Sequence, residues 1–152
     1  MAERDDVIDT LNHLIETSHD GEYGFRTLAE HAKSPELQQT FLRRAEEIRA
    51  SVAELRGEVA AQGGKPEDGG TAGGALHRGW VAVRSVLSTA TDEALLDEAE
   101  RGEDTALARY RKAAKQDLPP LVKALVDRQL QGVQRNHDQV KALRDQYHAA
   151  HA

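Results

Sequence analysis

Apolar residues along this chain recur at steps of three and four, the spacing of one buried face of an α-helix. Val7, Ile8, Leu11, Leu14, Ile15, Phe25, Leu28, Ala29 and Ala32 predict a first helix over about 3–33. Ser34-Pro35-Glu36 stops it and starts the next, with Ser as N-cap, Pro at the first helical position and an acid in the first turn. Leu37, Phe41, Ala45, Ile48, Val52, Leu55 and Val59 then carry a second helix over about 35–62, with Leu42, Glu46, Arg49 and Ala53 as an adjoining row on its flank. Gly63-Gly64 ends it and opens a glycine-rich loop over 63–74. A short helix over 75–88 follows, with Leu76, Trp80, Val83 and Leu87 on one face. Thr91-Asp92-Glu93 starts a fourth helix over about 92–116, whose inward stripe is Leu95, Ala99, Gly102, Ala106, Tyr110 and Ala113. Pro119-Pro120 begins the last, over 119–148, with Val122, Leu125, Val126, Val133, Val140, Leu143 and Tyr147 inward.

Polar residues interrupt these stripes at mid-helix. Ser18 and Glu22 break the first, and Gly21 and Gly24 beside them mark a close approach of another helix. Glu103 falls in the stripe of the fourth helix, four after Ala99 and three before Ala106. Gln129, Gln134 and His137 break the last, with His137 four after Val133 and three before Val140. A buried carboxylate must find a partner or stay protonated, so these positions predict a polar layer across the core.

Composition narrows the class. The chain has 152 residues, few aromatics and much Ala, Leu, Glu and Arg, which predicts one all-α domain over 1–152. There is no cysteine, so disulfides, thiolate metal sites and cysteine nucleophiles are excluded. The net charge of −6, with signs interspersed, leaves no basic stripe for nucleic acid. Arg43 and Arg44, with Arg49 nearby, read as a solvated helix face. No apolar run reaches the ~20 residues of a membrane span, and the charged start MAERDDVIDT is unlike a secretion signal, so the expectation is a soluble, cytoplasmic protein. The glycine-rich loop lacks the spacing of a phosphate-binding loop and follows no strand. No nucleophile elbow is present.

Four long helices, a short first turn and one long crossover carrying its own short helix describe an antiparallel four-helix bundle of ferritin-like connectivity. The segments that carry chemistry in such bundles can be compared directly. Glu46 to Pro66 resembles the second helix and glycine turn of rubrerythrin- and bacterioferritin-type proteins, with Glu46-x-x-Arg49-Ala50 where they have Glu-x-x-His-Ala. Gly102 to Tyr110 resembles their third helix, with Glu103 at the place of a ligand. Gln134-x-x-His137 stands at their second Glu-x-x-His pair, and Glu22 at the first-helix Glu. Over nearly its full length, including His77-Arg78-Gly79-Trp80 and the Glu98 to Asp104 segment, the chain is similar to a family of uncharacterised bacterial ferritin-like proteins. That resemblance implies the fold and suggests a stress association, and it implies no particular reaction.

Two departures bear on the di-metal site the resemblance would bring. Arg49 replaces a histidine ligand, and a guanidinium cannot bind a cation. Gln134 replaces a bridging carboxylate. The expectation is a degenerate site: a metal-free buried network of Glu22, Glu46, Arg49, Glu103, Gln134 and His137, without catalysis and without a cofactor. The alternative is a metal-dependent redox or storage protein holding one iron, manganese or zinc ion on Glu22, Glu46, Glu103 and His137. A third reading is an interaction module, a homo-oligomer and in the first place a dimer, using Trp80 and a helix face.

Overall fold

The computed structural model describes residues 3–67, 87 and 89–150. Among them are four α-helices and no strand: α1 Arg4–His31, α2 Pro35–Ala61, α3 Asp92–Ala114 and α4 Pro120–Ala150. The ends agree with the sequence spacing to about two residues. The expected short helix over 75–88, with Trp80, lies outside the described residues except for Leu87, which is buried.

Local chemistry explains the ends. Ser34 caps α2 by accepting from the Leu37 amide at 3.3 Å, and Thr91 caps α3 by accepting from Ala94 at 3.2 Å. Gly63, at φ 81°, closes α2 in the left-handed region; its amide bonds to the Ala60 carbonyl and that of Gly64 to Val59, satisfying the last turn. Acids begin α3 at Asp92 and Glu93, and Arg111 and Lys112 end it, matching the helix dipole.

Asp92 also sets the topology. Its carboxylate accepts from the Lys33 amide at 2.8 Å and the Ser34 amide at 2.9 Å, so the chain returns from the crossover to the α1–α2 turn. α3 therefore runs antiparallel to α1, and α4 antiparallel to α3. α1 packs on both α2 and α3, and α4 packs mainly on α3; of these adjacent pairs α2 and α4 touch least. Among the described residues no helix is long and apolar enough to cross a membrane.

The apolar stripes meet in one core drawn from all four helices, with Leu11, Leu14, Phe41, Leu55, Leu95 and Val122 fully buried. Gly21 sits where a Cβ would lie 3.3 Å from Ile48, the close helix approach its sequence position implies. One stripe is rotated from expectation: Gly102 is exposed, and Leu96 and Leu107 join Ala99 and Tyr110 on the buried face of α3. The heptad rows Leu96-Glu103-Tyr110 and Ala99-Ala106-Ala113 keep facing the bundle because the 3.5-residue period of a left-handed bundle, not 3.6, governs which side turns inward. Phe41 touches Phe25 across the core, with ring centroids 5.8 Å apart. A Phe41→Ala variant should lose about 3–5 kcal/mol in urea denaturation with little change in m; a loss under about 1 kcal/mol would contradict this packing.

Candidate functional site

Residues seven apart on a helix of this bundle return to the same face about 10 Å further along the axis. Two polar levels are built that way. At the first, Tyr110 of α3 donates from its hydroxyl to Gln129 Oε1 of α4 at 2.8 Å and lies 3.2 Å from the Ser18 hydroxyl of α1. Gln129 Nε2 donates to the Ser51 carbonyl and to Glu54 Oε1 of α2, each at 3.2 Å. One hydrogen-bond chain thus joins all four helices. Burial pushes the Tyr110 phenol up, which keeps it neutral and a donor.

The second level lies seven residues along each helix, at Phe25, Arg44, Glu103 and Asn136. Glu103, 1% exposed, receives Arg44 Nε on Oε1 at 2.7 Å and Nη2 on Oε2 at 3.4 Å. This ion pair spans α2 and α3. The Arg44 guanidinium also lies 6.0 Å from the Phe25 ring centroid. Asn136, buried, donates to the Gly132 carbonyl at 2.8 Å.

The residues expected to form one site fall into three groups. Glu103 is buried as its position requires, but its partner is Arg44 and not Arg49, which is exposed. Arg44 lies three after Phe41 and four before Ile48, on the flank that faces inward; Arg49 lies on the opposite flank. Arg44 is thus not part of a solvated face, whereas Arg43 is exposed. Glu22 and Glu46 are tied at the surface by Arg26, whose Nε donates to Glu22 at 3.1 Å and Nη2 to Glu46 at 2.8 Å. The Arg26 hydrogen bond holds the Glu46 carboxyl below its usual range. Gln134 bonds outward to Arg111 and Asp138.

His137 is also displaced from the core, because Asn136 takes the inward position in the heptad Val122-Gln129-Asn136 and leaves His137 on the flank against α3. Its Nε2 lies 2.5 Å from Asp104, and its Nδ1 3.4 Å from Asp138. Burial lowers the imidazole pKa, but the hydrogen bonds and charges of Asp104 and Asp138 together outweigh it and leave His137 raised. Glu100, one turn before Asp104, pairs with Arg144. Glu100, Asp104 and His137 offer ligand atoms within 4.8 Å of one another, a grouping that Glu22, Glu46, Glu103 and His137 do not form among the described residues. Farther along the α3–α4 pair, His148 of α4 lies 2.5 Å from Glu93 of α3. Nothing in the sequence pattern marked Arg44, Asn136 or Glu100 as members of a site; only the choice of inward flank reveals them.

A cavity of about 700 Å³ reaches both polar levels and is lined from all four helices, Ser18, Arg44, Glu103, Tyr110, Gln129 and Asn136 among them.

The connectivity and the polar core crossing four helices define a ferritin-like four-helix bundle. Solved structures agree. A two-domain protein from Anabaena variabilis with DJ-1/ThiJ/PfpI-like and ferritin-like domains matches at TM-score 0.78 and 12% identity, over 98% of this chain and 39% of that one. The chain therefore spans about two-fifths of that protein. A Mycobacterium smegmatis Dps1 mutant matches at TM-score 0.76 and 16% identity, over 93% of this chain and 98% of that one. A C-terminal deletion mutant of Mycobacterium smegmatis Dps gives 0.77 and 16%, over 92% and 99%. The chain belongs to the family described as domain of unknown function (DUF2383), whose model matches residues 6–116. No curated protein matches it significantly.

Removing one partner of a buried ion pair strands the other charge. Arg44→Met should therefore cost about 3–5 kcal/mol, while Arg44→Met with Glu103→Leu should return to within about 2 kcal/mol of wild type in denaturant melts; equal losses in both would show the pair to be unimportant. The His137 interaction has the opposite pH sign from an acid's. Its raised pKa stabilises the fold fully below the unfolded value of about 6.5 and is lost as pH rises through the folded one. The stability gap between wild type and His137→Gln should shrink from pH 5.5 to pH 8, and a gap that grows would contradict the Asp104 pairing.

Proposed function

We propose that this chain is a non-catalytic bacterial, cytoplasmic homo-oligomer of the ferritin-like class in which a protein cation stands at the centre where related bundles place metal. A stress association comes from the resemblance alone. The observation that carries the reading is the Arg44–Glu103 pair: both carboxylate oxygens of the one fully buried acid among the described residues face a guanidinium. A metal at Glu103 would have to expel a permanently charged group into a core that buries no other acid among the described residues. Glu22 and Glu46, the acids that would complete the set, are held at the surface by Arg26. Two-metal redox chemistry needs several converging carboxylates to hold two ions that keep open coordination positions, and these residues do not converge.

A second reading has its own support. The convergence of Glu100, Asp104 and His137 would suit a single iron, manganese or zinc ion, with Asp138 orienting the imidazole from its other nitrogen. Arg144 on Glu100 opposes it. Metal analysis of untagged protein, followed by ferrous titration, separates the two. The expected result is no ion that depends on Glu103, with any weakly held ion lost in His137→Ala and kept in Glu103→Gln. Stoichiometric metal abolished by Glu103→Gln would overturn the proposal.

A further inference from the structure

The central cavity has the size of a small-molecule pocket, about 700 Å³. Its floor is apolar, from Phe25, Leu28, Ile48 and Val133, all buried. The charged group on that floor with a hydrogen-bonding atom that none of the described residues engages is Arg44, 8% exposed. Glu103 engages its Nε and Nη2, which leaves Nη1 as a donor. Both oxygens of Glu103 are occupied by the same guanidinium, so the floor offers a hydrogen bond to an incoming acceptor and no free anion to an incoming cation. The rim adds a positive group of its own. Arg128 is neutralised by Glu54 and Arg101 by Glu98, whereas among the described residues Arg109 donates to the Thr17 hydroxyl, at 3.3 Å, and pairs with no acid. Arg135, Asp20 and the exposed Glu47 also line it, so the rim as a whole is close to neutral and the charge preference rests on Arg44.

We infer that this cavity is a binding site for a small, mainly apolar monocarboxylate, its chain lying against Phe25, Leu28 and Ile48 and its head accepting from Arg44 Nη1. An alcohol of the same shape would offer Arg44 Nη1 only an uncharged acceptor, a weaker partner than a carboxylate, and an amine would meet a cation. The inference goes beyond the proposal above and rests on it only in taking Arg44 as the charge at the bundle centre.

The test is calorimetric titration of the full chain, in EDTA so that no bound metal affects the outcome, with decanoate, decanol and decylamine below their micellar range. Decanoate should bind saturably at one per chain, with decanol and decylamine at least about tenfold weaker. Gly102 lines the cavity, and a Cβ built there meets nothing within 4 Å, so Gly102→Phe should fold normally by circular dichroism and abolish decanoate binding. Glu103→Gln removes the internal counter-ion and should tighten decanoate severalfold. Absent saturation, equal binding of the three probes, or decanoate binding unchanged in Gly102→Phe would each overturn the inference. Metal found at Glu103 in the separate metal analysis, with decanoate still bound here, would defeat the proposal above and leave the cavity assignment standing.

Discussion

A fully buried carboxylate is the constraint to which the middle of this bundle is built. Glu103 sits on the heptad row Leu96-Glu103-Tyr110, so the coiling that buries its two neighbours buries it as well. In a low-dielectric core such a charge is tolerable only against a partner of opposite sign with matched geometry. Arg44 is that partner, and its reach across the bundle joins helices that are not neighbours in the packing. The pair is a weak source of net stability, since two apolar residues could fill the same space. Its structural effect is on register: a slide of α2 against α3 by one turn would strand both charges.

The other polar level, that of Tyr110 and Gln129, works by neutral groups in the core. Ser18, Tyr110, Gln129 and the Ser51 carbonyl form a chain in which each buried donor meets an acceptor, and every helix contributes a member. Two polar levels about 10 Å apart, with small residues such as Gly21, Ala99 and Ala106 around them, cannot be packed as tightly as an all-leucine core. The cavity is the result, and all four helices line it. The stability of the bundle is carried instead by the apolar ends, where Leu11, Leu55, Leu95 and Val122 close the core.

Much of this was legible from residue order alone. The apolar spacing marked all four described helices, Ser34 marked the cap of α2 and Thr91 the start of α3, and the position of Glu103 between Ala99 and Ala106 marked it as buried. Ser18 and Gln129 were legible as interruptions of their stripes. The partners were not, because a helix stripe has two flanks and spacing fits both equally. Arg44 and Arg49 sit on opposite flanks of one stripe, and His137 and Asn136 are adjacent; which of each turns inward depends on where α1 and α4 pack and on the 3.5-residue period of a coiled bundle. The resemblance to metal-binding bundles drew attention to Glu46, Arg49 and His137, whereas the charge that meets Glu103 comes from five residues before Arg49.

Anomalous diffraction from crystals grown in excess manganese addresses the centre of the bundle most directly. The account predicts no anomalous peak at coordination distance from Glu103, with the Arg44 guanidinium still on both of its oxygens. A manganese ion bound to Glu103, with Arg44 turned away from it, would contradict the account.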